Sequence, residues 1–217
     1  MRILITGGAK RIGRLLVKEM ASKGHKVAIH FNSSEIEALE LLTEIGGKKQ
    51  GHVTVQCNLN DLNESSKLFH RLNSWGKPAI LINNASTYFR RGFEEFSIDE
   101  LLEDYTVNFF APLILMKDFH KECGFGSIIN ILDKRIDTVE HEAGPYALAK
   151  KSLRDATLTC AQAWFPKIRV NAIAPGPVLF PDEIIENASK RDLLRKIVKT
   201  VINFTESDAN GEITVID

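Results

Sequence analysis

Short apolar runs alternate with longer amphipathic stretches along the whole chain, and this alternation restricts the possible folds more than any other feature. Most of the short runs are continuously apolar, as expected for β-strands that are covered on both faces. Helical stretches between successive strands are typical of βαβ units with parallel strands. We therefore predict an α/β fold with one doubly wound parallel sheet of about seven strands, at residues 2–6, 27–31, 53–57, 79–83, 127–132, 169–173 and 213–216.

Capping-box patterns predict where three of the helices begin. The three pairs are Ser34 with Glu37, Asp61 with Glu64, and Ser97 with Glu100. In the helix after Ser34, the side chains of Ile36, Leu39 and either Leu42 or Thr43 recur at helical spacing. We expect this row to pack on the sheet and assign it no function.

The length of the chain, 217 residues, fits a single domain. One layered core can bury most of the apolar surface at this length, so we expect one domain over residues 1–217. The 28 basic residues balance the 28 acidic ones and leave no net field to attract a polyanion. We therefore expect neither nucleic acid nor a membrane surface as a partner.

The placement of cysteine and histidine favours a protein without disulfides or metal. Cys57, Cys123 and Cys160 are scattered and form no C-x-x-C pair, which favours a reducing compartment. The six histidines show no metal-ligand spacing, so we predict no metal. No apolar stretch approaches the ~18 residues of a membrane span, and no basic leader with a cleavage site precedes the first strand. We expect a cytoplasmic protein.

The first predicted strand runs directly into a glycine-containing turn, Thr6-Gly7-Gly8-Ala9-Lys10-Arg11-Ile12-Gly13, before a helical stretch. Glycines allow a close approach to a pyrophosphate, whose charge backbone amides and the positive helix end can hold. The spacing departs from G-x-G-x-x-G, and the loop alone would also suit a plain strand-to-helix turn. The cofactor contacts predicted from this loop are Gly7, Lys10, Arg11, Ile12 and Gly13.

The end of the second predicted strand indicates which nicotinamide cofactor would bind. A dinucleotide fold that prefers NAD places an acid there, whereas a 2′-phosphate needs cations and hydroxyl or amide donors. No acid comes before Glu35, and Lys10 and Arg11 lie on the adjoining loop. We therefore predict NADPH, although the same residues also suit a simple helix cap. The predicted contacts are His30, Phe31, Asn32, Ser33 and Ser34.

Tyr146 and Lys150 are four positions apart in a predicted helix and share one face. A neighbouring ammonium favours phenolate, so we expect Lys150 to lower the pKa of Tyr146 toward a range useful for proton exchange. Lys150 would also bind the nicotinamide ribose. A bare Y-x-x-x-K pair is usually a solvated helical face, but here Asp133 ends a strand thirteen positions before Tyr146.

Together, these motifs resemble those of the short-chain dehydrogenase/reductase family. The glycine turn is similar to the family's T-G-x-x-x-G-x-G element, and Asn83-Asn84-Ala85-Ser86 is similar to its N-N-A-G motif. The strand end, the Y-x-x-x-K pair and the segment 171–178 extend the resemblance over nearly the whole chain. The resemblance implies a Rossmann-type NADP-binding reductase domain.

The family resemblance also implies roles for residues that local patterns leave unassigned. Asn108 would complete a catalytic set with Asp133, Tyr146 and Lys150, of which the last two also bind cofactor. Further cofactor contacts would be Asn58, Leu59, Asn84, Ala85, Ser86, Pro175, Gly176 and Val178. Residues 177–196 would cover the substrate, and homotetramers would form through the family's fourth and fifth helices.

Two departures from the family pattern narrow the expected substrate. Arg11 replaces the middle glycine and Asp133 replaces the catalytic serine, as in pteridine reductases and dihydromonapterin or dihydrofolate reductases. That resemblance implies that Arg11 faces cofactor and substrate, that the pterin lies against Tyr88, and that Ser86 approaches both ligands. A carboxylate suits a substrate that takes a proton on nitrogen or presents N–H donors, whereas a serine hydroxyl suits a ketone.

The sequence therefore predicts hydride transfer from NADPH to a C=N bond of a dihydropterin or dihydrofolate, giving the tetrahydro form. Tyr146, with Asp133 and Lys150, would supply the proton. A 3-oxoacyl-thioester or other carbonyl reductase of the same family is an alternative. A non-catalytic, NADPH-sensing protein is the alternative from a different class.

Overall fold

The computed structural model of the protein describes residues 1–176 and 188–217, without the side chains of 188–190. The strands are β1 (Arg2–Ile5), β2 (Lys26–Phe31), β3 (Val53–Gln56), β4 (Ile80–Asn83), β5 (Gly126–Ile131), β6 (Ile168–Pro175) and β7 (Ile213–Ile216). They form one parallel sheet in the order β3-β2-β1-β4-β5-β6-β7. The predicted α/β fold is confirmed, and the ends of each strand differ from the prediction by two residues at most.

Helices cover both faces of the sheet. They are α1 (Arg11–Ser22), α2 (Glu35–Glu44), α3 (Leu62–Ser65), α4 (Leu68–Arg71), α5 (Ile98–Tyr105), α6 (Ala111–Cys123), α7 (Gly144–Trp164) and α8 (Ala188–Glu206). A π-helical segment, Thr106–Phe110, joins α5 to α6, and 3-10 turns lie at Lys48–Gln50 and Lys134–Asp137. Helices α1, α2 and α8 pack on one face, and α4, α6 and α7 pack on the other.

The strands carry apolar side chains to both faces, because successive residues of a strand point in opposite directions. In β1, Ile3 and Ile5 join the core beneath α1, whereas Leu4 joins the core beneath α6. All three are fully buried, and each such side chain contributes about 1.5–3 kcal/mol relative to exposure. This two-sided burial explains the continuously apolar strand sequences.

The strand order changes direction between β1 and β4. Strands β2 and β3 lie on one side of β1, and β4 to β7 lie on the other side. The loops after β1 and β4 therefore border a crevice at the carboxyl ends of the strands. Thr6 fastens these loops together, because its Oγ1 accepts the backbone N–H groups of Asn84 and Ala85 at 2.9 and 3.0 Å. The crevice is the position where open α/β sheets bind ligands.

Two of the predicted helix caps are present. Ser97 and Glu100 form the complete capping box at the start of α5. Asp61 caps α3 through its carboxylate. The other half of that box is redirected, because Glu64 accepts the backbone N–H of Asn58 at 3.0 Å.

Helix α2 begins after Ser34 as predicted, but the Ser34 cap is wrong, and in the predicted row only Leu42 is buried. Within the described residues, Ser34 makes no side-chain cap, and Glu37 pairs with Lys10 at 2.5 Å instead. Ile36 and Leu39 are 72% and 46% exposed rather than packed on the sheet. The buried row is Ala38, Leu41 and Leu42. Both rows have helical spacing, so periodicity alone does not distinguish them.

The first part of the predicted substrate-covering segment, residues 177–196, lies outside the described residues. The rest falls in helix α8, which begins at Ala188 and runs unbroken to Glu206. Leu193 and Leu194 of this helix pack against the core beneath α1. No helix in the described part of the chain is long and apolar enough to cross a membrane.

Candidate active site

Two adjoining cavities lie in the crevice at the carboxyl ends of the strands. The first cavity has a volume of about 550 Å³ and the second about 430 Å³. Gly7, Lys10, Ala85 and Ser86 line both, so the two form one continuous groove. The other predicted site residues that line the first cavity are Arg11, Ile12, Gly13, Asn84, Tyr88, Asp133, Tyr146, Lys150, Pro175 and Gly176. Those that line the second are His30, Phe31, Asn32, Ser33, Ser34, Asn58 and Leu59.

The glycine turn after β1 packs too closely for larger residues. A Cβ on Gly13 would lie 2.1 Å from the Gly7 carbonyl oxygen, and one on Gly7 would lie 2.9 Å from the Ala85 Cα. Helix α1 begins at Arg11, and the preceding Lys10 makes no side-chain cap. Its first residues, Arg11, Ile12 and Gly13, line the first cavity, so the positive end of α1 borders this cavity and suits an anionic ligand.

Arg11 adopts a backbone conformation that normally requires glycine. Its φ is +51°, the left-handed region, which costs an L-residue about 1–2 kcal/mol. The family's glycine at this position has no such cost. The conformation places Arg11 on the wall of the first cavity.

His30 is buried in the wall of the second cavity and contacts the loops that follow β1 and β3. Its Nδ1 accepts the backbone N–H of Gly7 at 3.0 Å, and its Nε2 contacts the carbonyl oxygen of Cys57 at 3.0 Å. Burial lowers the pKa of His30 to about 4, so the ring is neutral at pH 7 with its proton on Nε2. His30, predicted as a cofactor contact, uses both ring nitrogens to hold the loops after β1 and β3.

The second cavity ends at the turn after β2. Asn32, Ser33 and Ser34 line it together with the Lys10 side chain. Asn58 also lines it, although the Asn58 Oδ1 already accepts the backbone N–H of Asn60 at 3.0 Å. This end of the groove offers amide, hydroxyl and ammonium groups, which suit a phosphate ester.

Asp133, Tyr146 and Lys150 lie together in the first cavity. The Tyr146 hydroxyl donates to Asp133 Oδ2 at 3.1 Å, and Lys150 Nζ donates to the carbonyl oxygen of Ile131 at 3.0 Å. Burial and then the Asp133 charge raise the pKa of Tyr146. The expected lowering of that pKa is therefore wrong for this structure, because burial and the Asp133 carboxylate both disfavour the phenolate. Tyr146 holds its proton at neutral pH.

Two opposing effects act on the pKa of Lys150. Burial lowers its pKa to about 8, and the Asp133 carboxylate opposes that shift. The ammonium is therefore mostly charged at pH 7. It is anchored to β5 and lines the same cavity as Tyr146.

Arg135 is a cavity residue that the sequence reasoning missed. It follows Asp133 by two positions, and its Nη1 donates to Asp133 Oδ2 at 2.9 Å. Its guanidinium lies 5.2 Å from the centre of the Tyr88 ring, which meets the Tyr146 ring edge-on at 5.0 Å. The sequence did offer a signal for this contact. Arg135 is a cation two residues after the acid at the strand end, and a tight turn brings such a pair together.

Asn108, predicted as a catalytic residue, lies outside the cavity wall. It is fully buried in the π-helical segment and is not among the residues that line either cavity. Ser86 Oγ donates to its Oδ1 at 2.6 Å, while its Nδ2 donates to the carbonyl oxygens of Thr87 and Asp104, both at 3.0 Å. Asn108 therefore positions the Ser86 loop. The predicted contact Val178 lies outside the described residues.

The doubly wound sheet and the paired tyrosine and lysine in the crevice define the class of this protein. The sequence model for the short chain dehydrogenase family matches residues 1–190, and the chain belongs to that family.

Several known proteins are similar to this chain. FolM alternative dihydrofolate reductase 1 from Brucella suis, solved in complex with NADP, is 33% identical with a TM-score of 0.87, and the match covers 100% of this chain and 93% of that one. Pteridine reductase 1 of Leishmania tarentolae is 25% identical over 83% of this chain and 78% of its own length. The hydroxynaphthalene reductase-like protein Arp2 of Metarhizium robertsii is 27% identical over 81% and 67%, respectively.

Proposed function

We propose that the protein is an NADPH-dependent reductase that converts a dihydropterin or a dihydrofolate to its tetrahydro form. The observation that carries the proposal is the 3.1 Å contact between the Asp133 carboxylate and the Tyr146 hydroxyl, in a cavity also lined by Arg11 and Tyr88. A carboxylate accepts the amino and ring N–H groups of a pterin, whereas a simple ketone offers it no donor. Similarity to a dihydrofolate reductase and to a pteridine reductase supports the same substrate class.

The groove fits NADPH at both ends. Close packing of Gly7 and Gly13 leaves backbone and helix end free to meet a pyrophosphate. The turn Asn32 to Ser34 offers amide and hydroxyl donors to a 2′-phosphate. Lys10, which pairs with Glu37 in this structure, adds an ammonium at the same end of the groove. The similar dihydrofolate reductase was solved with NADP, which supports this assignment.

The chain's own residues have separate tasks in the proposed reaction. When bound, NADPH supplies the hydride. Tyr146 holds a proton at its hydroxyl and donates it to the substrate nitrogen, while Asp133 accepts N–H groups of the substrate. Lys150, anchored to β5, presents its charge to the nicotinamide ribose. Tyr88 offers a ring face against which a flat heterocycle can stack.

Carbonyl reduction is the second candidate function. The Tyr146 hydroxyl is a donor that also suits a carbonyl oxygen, and similarity to a hydroxynaphthalene reductase-like protein favours this alternative. A cofactor-sensing protein without turnover is the third. It would have no use for a buried proton donor such as Tyr146.

Parallel assays distinguish these functions. NADPH oxidation is followed with dihydrobiopterin, dihydrofolate and a 3-oxoacyl thioester, with Tyr146→Phe as the inactive control. Turnover of a dihydropterin or dihydrofolate is expected. Turnover of the thioester alone would refute the pterin assignment, and tight NADPH binding without any turnover would support the sensor.

A further inference from the structure

Glu103 is the single acidic residue, in the described part of the chain, that lines the second cavity. It lies in α5, about one helical turn before Val107 of the π-helical segment. Its side chain is 36% exposed, and its Oε2 lies 3.8 Å from Arg91 Nη2. The Arg91 guanidinium is itself packed on the Phe89 ring, 4.0 Å from the ring centre. The neighbouring cation therefore restrains the Glu103 carboxylate at the cavity wall.

The walls of the second cavity differ in charge. Lys10 and the turn from Asn32 to Ser34 form one wall, from the loops that follow β1 and β2. Glu103 and Val107 form another wall and belong to the part of the chain that follows β4. Because β2 and β4 flank β1 on opposite sides in the sheet, the two walls border the cavity from different directions. The cation and the carboxylate therefore suit different parts of one ligand.

Leu59 and Val107 give the second cavity two apolar side chains that suit a flat ring. Both residues line the cavity, and they are 4% and 8% exposed. They come from different walls, since Leu59 follows β3. NADPH has an adenine ring at the same end as its 2′-phosphate, and the edge of that ring has an amino group with two N–H donors. Burial of such an amino group without an acceptor would weaken binding.

The side-chain oxygen of Asn58 is directed into its own turn. Oδ1 accepts the backbone N–H of Asn60 at 3.0 Å, and the Asn58 carbonyl oxygen accepts that of Asp61, also at 3.0 Å. The backbone N–H of Asn58 donates to Glu64 Oε2 at 3.0 Å, which closes the turn. The remaining polar group of Asn58 is Nδ2, a donor, which suits a ring nitrogen rather than an amino group.

The two acids that follow Asn58 most closely in the chain already have partners. Asp61 caps α3 through its carboxylate. Glu64 accepts the backbone N–H of Asn58 and pairs with Arg71 at 3.5 Å. Neither acid is among the residues that line the two cavities. Glu103 is therefore the carboxylate, among the residues that the structure describes, that can receive an amino group in the second cavity.

We propose that Glu103 accepts the exocyclic amino group of the adenine of NADPH and selects an aminopurine over an oxopurine at this end of the groove. A carboxylate attracts N–H donors and repels a carbonyl oxygen, so an oxo group in place of the amino group turns attraction into repulsion. The inference rests on the NADPH cofactor of the proposed function, but it does not depend on which substrate is reduced. Glu103 is then a specificity-determining residue for the cofactor, on α5 rather than at the end of β3.

Binding of two reduced dinucleotides tests the inference. The analogue of NADPH with hypoxanthine in place of adenine has an oxo group where NADPH has the amino group. The wild type is expected to bind NADPH at least about tenfold more tightly than this analogue. Glu103→Met keeps the length of the side chain and removes the acceptor, so the Kd for NADPH should rise about fivefold, while the Kd for the analogue should not rise more than about twofold. Titration of the nicotinamide fluorescence measures these constants without any substrate.

Glu100→Gln is the matched control. Glu100 Oε1 lies 3.3 Å from Nε of the same Arg91, but Glu100 is not among the residues that line the cavities, and glutamine keeps the capping box. Both Kd values of this variant should stay within about twofold of the wild type. In Glu103→Met, an equal rise of both Kd values would indicate a packing role and overturn the inference. Tighter NADPH binding would also overturn it, because the carboxylate would then lie beside the phosphate.

Two further results would contradict the role of Glu103. Equal binding of the two dinucleotides by the wild type would do so without any variant. A preference that Asn58→Ala abolishes and Glu103→Met keeps would do so as well, since the acceptor would then be Asn58. If the wild type binds neither dinucleotide, the NADPH assignment and this inference fail together, whereas equal binding removes only the role of Glu103. Pterin turnover bears on the proposed substrate alone.

Discussion

At the scale of single residues, burial is the largest influence on the pKa values of Tyr146 and Lys150. Tyr146 contacts the Asp133 carboxylate, and both burial and that charge keep its phenol protonated. The pKa of Lys150, about 8, lies close to neutral pH. Reduction requires a protonated donor, so this arrangement suits the proposed direction of the reaction.

Replacing Tyr146 by phenylalanine removes only the hydroxyl. We expect kcat to fall by about 10²–10⁴-fold, the usual contribution of a positioned general acid, with the Kd for NADPH within about twofold of wild type. Stopped-flow turnover and fluorescence titration of NADPH measure the two quantities. Substantial remaining turnover would show that another group supplies the proton.

We expect Lys150 to make NADPH binding dependent on pH. Its folded pKa is depressed to about 8, so the ammonium is present below that pH and is lost as the pH rises through it. NADPH affinity is therefore expected to weaken above about pH 8 by up to about tenfold, the worth of one charge-assisted hydrogen bond. Lys150→Met should bind weakly at every pH, without this dependence. Calorimetric Kd values from pH 6 to 9.5 check the prediction.

Arg11 combines backbone strain with a position on the cavity wall. Arg11→Gly is expected to leave the free energy of unfolding unchanged or raise it by up to about 1 kcal/mol, because glycine tolerates a positive φ. The loss of the guanidinium should lower kcat/KM for a dihydropterin about tenfold or more. Chemical denaturation and steady-state kinetics measure both effects.

Arg14→Gly is the matched control for that change. Arg14 lies in helix α1 with an ordinary helical φ, so the same substitution should destabilise the protein by about 1 kcal/mol. Activity should change little, since Arg14 pairs with Glu44 outside both cavities. An equal loss of stability in both variants would contradict strain at Arg11.

At the scale of elements, the turn from β1 into α1 depends on close packing. Gly13→Ala would bring a Cβ within 2.1 Å of the Gly7 carbonyl oxygen and 2.7 Å of Asn84 Nδ2. We expect the turn to shift and the Kd for NADPH to rise at least about 100-fold, while circular dichroism shows a folded protein. Gly92→Ala, with its nearest contact at 3.5 Å, is the control and should bind normally. Normal binding by Gly13→Ala would contradict a phosphate site here.

The secondary-structure elements also show what hydrophobic periodicity can predict and what it cannot. The strands are recognisable because burial on both faces favours continuous apolar runs, such as Ile80-Leu81-Ile82 in β4. Helix α2 carries two apolar rows at the same spacing, and only contact with the sheet selects the row of Ala38 and Leu41. The π-helical segment Thr106–Phe110 was not predicted, and in it Asn108 Nδ2 donates to the carbonyl oxygen of Asp104 at 3.0 Å.

At the scale of the whole molecule, the homotetramer implied by the family resemblance stays a prediction. Leu102 on α5 and Leu158 on α7 are 52% and 44% exposed, and these helices pack side by side. We expect wild-type protein to sediment as a tetramer and Leu102→Glu with Leu158→Glu to sediment as a smaller species. Ile36→Glu, an equally apolar exposed position on α2, should remain tetrameric. A monomeric wild type would contradict the prediction.

Sequence alone determined the parallel sheet, the glycine turn and the positions of Asp133, Tyr146 and Lys150, because these follow from local periodicity and from motifs at fixed spacing. Tertiary structure alone decided how the groups act on one another. It placed Asn108 behind the cavity, used His30 to hold the loops after β1 and β3, and paired Asp133 with Tyr146. Charges, burial and hydrogen bonds depend on distances between segments far apart in the chain, and a linear pattern does not contain those distances.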